Sequence, residues 1–159
     1  MLSIQIICVG KLKEKFFKDA SLEYSKRLSK FCKLDVIEIS DEKIPDKLSK
    51  KDSELIKDKE CSKIISHIKK DSYVLALDLS GTQMSSEEFS EKLDKLSLHS
   101  SNITFIIGGS LGLNRHLLST CNEKICFSKM TFPHQLIRIF LLEQIFRAFK
   151  ISFGQTYHR

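Results

Sequence analysis

Five short apolar runs, at residues 4–9, 34–39, 73–79, 102–107 and 124–127, alternate with stretches in which apolar residues recur every three or four positions. This alternation constrains the chain more than any other feature. The short runs suit buried strands and the spaced stretches suit helices, and a strand–helix–strand order places successive strands parallel. The predicted fold is α/β: a mostly parallel sheet with helices on both faces, formed by one domain over residues 1–159. No internal repeat or linker interrupts the pattern.

Local signals mark the elements. Phe16, Phe17, Ala20, Tyr24, Leu28 and Phe31 trace one face of a helix over 16–31, and Pro45 lies in a loop over 40–49. A charged helix carrying Leu55, Ile56, Ile64, Ile65 and Ile68 follows. Ser80-Gly81-Thr82 is expected to break the third strand, and Ser85 with Glu88 forms a capping box for a helix bearing Phe89, Leu93 and Leu96. A short helix is predicted around 113–119, and a last one runs from Pro133 to about Ile151. That last helix is apolar nearly all round: Ile137, Phe140, Leu141, Ile145, Ala148 and Phe149 occupy one face, Leu136, Ile139, Leu142 and Phe146 the other. One sheet is not expected to cover both faces, which predicts a homodimer.

Composition narrows the classes. With 42% apolar and 29% charged residues and only 2 prolines, the chain reads as globular throughout. No apolar run reaches the length of a membrane span, and the apolar start lacks a basic residue before it, so neither membrane insertion nor secretion is expected. Cys8, Cys32, Cys61, Cys121 and Cys126 are odd in number and scattered, as expected of reduced thiols filling core space. No His/Cys clustering suggests a metal site, and none is expected. Basic segments at 1–70 and 129–159 flank an acidic middle within a net charge of +6, a distribution that suits a polyanionic partner. Lys11, Lys13 and Lys15 are candidate phosphate contacts.

Ligands of parallel sheets bind outside the carboxyl ends of the strands. Three such ends here carry glycine or polar loops, at Gly81, at Gly108-Gly109 and over 128–132. Gly108 and Gly109 lack a Cβ, so a ligand can approach the backbone closely. Ser110 and Leu113 stand where a dinucleotide fingerprint needs glycine, which argues against a dehydrogenase. Gly108, Ser110 and Gly112 do match a nucleophile elbow, with Glu123 and His134 or His158 following in the order of a hydrolase triad, so an esterase is the sharpest rival. A third reading is a non-catalytic RNA-binding factor. Gln155-Thr156-Tyr157-His158-Arg159 places a stacking ring, an imidazole and a guanidinium side by side.

Taken together, Val9-Gly10-Lys11-Leu12-Lys13, Ile107-Gly108-Gly109-Ser110, Phe127-Ser128-Lys129-Met130-Thr131-Phe132-Pro133-His134, Glu143-Gln144, Arg147-Ala148-Phe149 and Tyr157-His158-Arg159 resemble the RlmH family, and the resemblance spans the whole chain. That family comprises SPOUT-class enzymes that methylate N3 of a pseudouridine in 23S ribosomal RNA of the large subunit. The resemblance implies a C-terminal trefoil knot, a cytoplasmic homodimer and S-adenosyl-L-methionine as methyl donor. It places cofactor binding on Leu77, Gly108, Gly109, Phe127, Ser128, Lys129, Met130, Thr131 and Phe132. It also brings Tyr157, His158 and Arg159 to the RNA base, at a pocket completed by the second protomer. Leu111 departs from the polar residue usual in that turn.

Methyl transfer from a sulfonium is a direct displacement, so positioning the methyl carbon and the attacking nitrogen supplies most of the rate. N3 of a uracil-type base must lose a weakly acidic proton, which a nearby base or cation assists. The expected catalytic group is therefore Tyr157 stacking on the base, His158 taking the proton, and Arg159 or Arg138 steadying phosphate or developing charge. The substrate is ribosomal RNA or the ribosome.

Overall fold

A computed structural model describes residues 1–157. Ten elements follow in the order β1 (Ser3–Val9), α1 (Lys15–Leu28), β2 (Lys33–Ile39), α2 (Lys50–His67), β3 (Tyr73–Thr82), α3 (Ser86–His99), β4 (Asn102–Ile107), α4 (Arg115–Thr120), β5 (Glu123–Ile125) and α5 (His134–Ser152). The strands form one five-stranded sheet in the order β2-β1-β4-β3-β5, parallel throughout. Alternation along each strand sends side chains to two faces. Ile4, Ile6, Cys8, Ile103 and Phe105 point into a core shared with α1, α3 and α5. Ile7, Val9, Ala76 and Ile106 point into a second core with Cys61 and Ile64 of α2 and Leu117 of α4. The expected α/β architecture with helices on both faces is the observed one.

Helix starts follow the capping chemistry. Ser85 and Glu88 exchange hydrogen bonds as the sequence predicts. Ser49 and Asp52 do the same at α2. Gln5, buried in the sheet, is satisfied on three sides: it donates to the His67 carbonyl and accepts from the Lys69 amide and the Thr104 hydroxyl. All five cysteines are unpaired, and four of them are buried.

Two expectations are corrected. β3 does not end before Ser80-Gly81-Thr82 but continues to Thr82, with a register shift between Leu77 and Thr82 where it pairs Ile125. Gly81 makes this crossing possible, because a Cβ there would lie 2.5 Å from the Ile125 carbonyl carbon. β5 is correspondingly short, at Glu123–Ile125 rather than 124–127, since the chain leaves the sheet once Cys126 has donated to the Thr82 carbonyl.

The last helix is covered differently from expectation. It lies over the sheet between α1 and α3, so three surfaces, not one, receive its apolar residues. Phe31 of the α1–β2 connection stacks on Phe149 at 5.5 Å and meets Phe146 edge-on at 6.0 Å, while Ser90 of α3 donates to the Ala148 carbonyl. Of its large apolar side chains, Phe140 stays exposed, at 37%. No helix among the described residues is long and apolar enough to cross a membrane.

Candidate functional site

A cavity of about 680 Å³ opens at the carboxyl ends of β3, β4 and β5. It joins the Gly108–Gly112 turn after β4 to the 126–133 segment between β5 and α5, with Leu77 and Asp78 from β3 closing a third side. Two of the three loops singled out by the sequence, Gly108-Gly109 and 128–132, therefore share one space; the third side comes from Leu77 and Asp78, and Gly81 is not part of the wall.

The glycine turn is built for close approach. Gly112, at φ +81°, donates to the Gly109 carbonyl at 3.0 Å and closes the turn. A Cβ on Gly108 would press on Leu113 and Gly112 at 3.1 Å, and one on Gly109 would lie 2.9 Å from Val9 and 3.1 Å from the Glu60 carboxylate. Bare backbone is thus required behind the cavity. α2 buttresses the turn: Cys61 Sγ accepts from the Asn114 amide, Asp58 accepts from the Asn114 side chain at 2.9 Å, and Asn114 in turn caps α4. Glu60 is buried beside Gly109, and burial holds its carboxyl above the usual value, reinforced by Asp41 and Glu42 and opposed by a backbone hydrogen bond at Glu42 and by Lys63.

Of the sequence-predicted cofactor residues, Leu77, Gly108, Gly109, Phe127, Ser128, Met130, Thr131 and Phe132 line the cavity. Lys129 lies between them but turns to the surface and is not part of the wall. The segment is shaped by Ser128, whose hydroxyl accepts from the Met130 amide and whose carbonyl accepts from Cys126 Sγ. Asp78 and His134 also line the space, and the sequence reading gave neither a binding role. Asp78 could have been found as the residue after Leu77 at a strand end. Among the described residues Asp78 is the one carboxylate in a wall otherwise made of apolar side chains, hydroxyls, the His134 ring, the Gln135 amide and backbone, and no lysine or arginine lines it.

Arg138 departs from its expected place at the substrate. Its side chain is 2% exposed, with Nη1 on Glu38 at 2.8 Å and Nη2 on the Gly10 carbonyl at 3.0 Å, so both terminal nitrogens are held inside the protein. A phosphate contact would require leaving both. Glu38 feels opposing effects: burial raises its carboxyl, while the Arg138 hydrogen bond, the Leu12 amide and the Arg138 charge carry it below the usual value.

Tyr157 lies outside the cavity. Its ring meets Phe146 edge-on at 5.1 Å, the Arg147 guanidinium sits 4.8 Å from its centroid, and its hydroxyl donates to Glu143 at 3.1 Å. Glu143 also holds Arg147 at 2.6 Å, an i,i+4 pair on α5. His158 and Arg159 lie outside the described residues. Within one chain, then, the structure separates Tyr157 from the glycine turn.

Among the described residues the rival triad does not assemble: Ser110 makes no hydrogen bond to a histidine, and Glu123 is engaged by Tyr73 and Lys92, each at 2.6 Å. Glu123 opens the edge strand β5, paired with Leu75, at the opposite end from the carboxyl ends that carry Ser110. No group of three His, Cys, Asp or Glu among the described residues could hold a metal ion.

A parallel sheet with its cleft outside the carboxyl ends of β3, β4 and β5, backed by bare glycine backbone, defines an α/β protein of the class that places its site at the strand ends. The chain belongs to the SPOUT methyltransferase family, whose model, described as "Predicted SPOUT methyltransferase", matches residues 2–158. It is 57% identical over 159 residues to the ribosomal RNA large subunit methyltransferase H of Clostridium novyi, covering 99% of this chain and all of that one. The protein of the same name from Clostridium acetobutylicum is likewise 57% identical with the same coverage. Among solved structures, a probable methylase family protein from Haemophilus influenzae shares the fold at TM-score 0.56 and 14% identity, over all of this chain and 72% of that one.

Proposed function

We propose that this protein is an S-adenosyl-L-methionine-dependent methyltransferase acting on N3 of a pseudouridine in 23S ribosomal RNA, as a cytoplasmic homodimer on the ribosome or its large subunit. The observation that carries the reading is the cavity joining the Gly108 turn to the 126–133 segment, walled by apolar groups, neutral polar groups and backbone, with Asp78 as its one carboxylate among the described residues. Such a wall suits a cationic nucleoside derivative and offers no counter-charge to a polyphosphate. The names of the full-length relatives supply the substrate class.

The donor, when bound, supplies a methyl group on a sulfonium. Leu77 and the 126–132 segment would hold its apolar parts, and the backbone of Gly108 and Gly109 its polar edge. Catalysis rests on Tyr157, His158 and Arg159: stacking on the base, taking the N3 proton and steadying the charge that develops. Because Tyr157 sits outside its own chain's cavity, a second protomer's tail completes the site. Exposed Met130 and Phe140, with Phe132 packed edge-on to Phe140 at 5.5 Å, form an apolar rim suited to that protomer. The close crossing of Gly81 over Ile125 is in keeping with the trefoil knot implied by the family.

The test is calorimetry with S-adenosyl-L-methionine, followed by transfer of labelled methyl to purified ribosomes, subunits and free ribosomal RNA. Binding lost in Gly108→Val together with label at one pseudouridine is the expected result. A folded wild-type protein that binds no donor, or one that reacts at Ser110 with a fluorophosphonate, overturns the reading.

A further inference from the structure

Two buried side-chain polar atoms lack a hydrogen-bond partner among the described residues: His134 Nδ1 and Arg138 Nε. They lie four residues apart at the start of α5, on one face of the helix, and both flank Gly10. Gly10 adopts φ +95°, and a Cβ there would sit 2.6 Å from His134 Cε1. Its carbonyl takes Arg138 Nη2 at 3.0 Å. An imidazole is therefore wedged into a notch that only glycine leaves open.

One arrangement accounts for both orphan atoms. A guanidinium Nε–H can only donate, so a water that accepts from it and donates onward finds its complement in a lone pair at Nδ1. The proton of the neutral ring then resides on Nε2. That nitrogen is not sealed and makes no hydrogen bond among the described residues, and His134 lines the cavity. A protonated ring would instead turn a second cation toward Arg138 and leave both buried atoms as donors.

We propose that His134 is a donor-binding residue, which gives its Nε2–H to an acceptor on the bound S-adenosyl-L-methionine and serves the site only while its ring is uncharged, because the sulfonium brings a positive charge beside it. This rests on the reading of the cavity as the methyl-donor site. The charged groups acting on the ring are Arg138 on α5 and Asp41 after β2; Glu38 on β2 holds Arg138, Lys11 acts on Glu38, and Asp78 lies on the cavity wall. Burial and the Arg138 charge hold the imidazole below its ordinary value of 6.5, with Asp41 opposing them. The neutral ring is thus the resting form at neutral pH, and donor affinity declines as pH falls below that range.

The test compares calorimetric affinities of S-adenosyl-L-methionine and S-adenosylhomocysteine, which lacks the sulfonium charge, for the full chain at about pH 7 and about pH 5.5. Wild-type protein is expected to lose about fivefold in affinity for the charged ligand at the lower pH and less than about twofold for the neutral-sulfur one. His134→Gln keeps an N–H donor and cannot titrate, so it binds near wild-type strength at both pH values. His134→Ala binds both ligands about tenfold more weakly, the loss of one hydrogen bond. Nitrogen chemical shifts of the His134 ring in the unaltered protein read the tautomer independently of any variant. The inference is overturned by wild-type affinity in His134→Ala, by an undiminished pH dependence in His134→Gln, by equal pH dependence for the two ligands, or by a proton on Nδ1. A wild-type chain that binds neither ligand overturns the donor-site reading itself, and this inference with it.

Discussion

Arg138 on α5 meets Glu38 on β2, a hundred positions earlier in the chain, at 2.8 Å, and its second terminal nitrogen holds the Gly10 carbonyl at 3.0 Å. One guanidinium thereby ties the last helix to the ends of two adjacent strands, directly behind the notch that receives His134. Glu38 extends the tie by accepting the Leu12 amide at 3.1 Å.

Arg138→Ala should lower stability by about 2 kcal/mol in urea unfolding, less than the loss from a pair sealed on both sides, because Glu38 is still 35% exposed. The pair also sets a pH dependence. Glu38 has its folded value below the ordinary 4.5, so its contribution is present above 4.5 and is lost as pH falls through the folded value. Glu38→Gln should flatten that part of the acid limb, and an unchanged limb would refute the assignment.

Glu60 carries the opposite sign. Its carboxyl is held above 4.5 in the folded protein, so its ionisation costs stability as pH rises from 4.5 through the folded value. Glu60→Gln should therefore raise the urea midpoint at neutral pH, with the advantage shrinking below about pH 4.5. A variant less stable than wild type at neutral pH would show that the charge itself supports the glycine turn.

Gly81 and Gly112 separate steric from conformational requirement. At Gly81 a methyl would collide with the Ile125 backbone at 2.5–2.7 Å, so Gly81→Ala must part β3 from β5, at a cost of about 1–3 kcal/mol and with weakened donor binding. At Gly112 nothing lies within 4 Å, and Gly112→Ala meets only the φ +81° backbone, a cost of about 1 kcal/mol. Thermal unfolding of both variants checks the order, which would be reversed if the crossing could relax freely.

Tyr157→Phe removes the hydroxyl that donates to Glu143 while keeping the ring against Phe146 and Arg147. Stability should change by less than about 1 kcal/mol, and donor affinity should be unchanged because the residue lies outside the cavity. Methyl transfer to RNA should fall, since the tail loses its anchor. Full turnover in this variant would mean that the Glu143 contact does not position the tail.

The strands, most helix starts and two of the three candidate loops were readable from local pattern because each depends on neighbours in sequence. Ser85 with Glu88 needed only a spacing of three, and Gly108-Gly109 needed only a strand before it. Where a residue's role depends on a distant segment, local pattern misled. Ser80-Gly81-Thr82 has the composition of a turn, yet the approach of Ile125 keeps it in the sheet. Arg138 reads as a surface cation until Glu38 is found beside it.

The amino-acid sequence by itself determined the α/β class, the membership in a methyltransferase family and the loops from which the cavity is made, because periodicity, glycine positions and motif residues are properties of short segments. Only the tertiary structure decided that α1 and α3 share the burial of α5, that Arg138 turns inward, and that His134 is wedged against Gly10 with one nitrogen sealed. Those outcomes follow from packing between segments far apart in the chain, where burial and pairing are settled by whichever surface arrives.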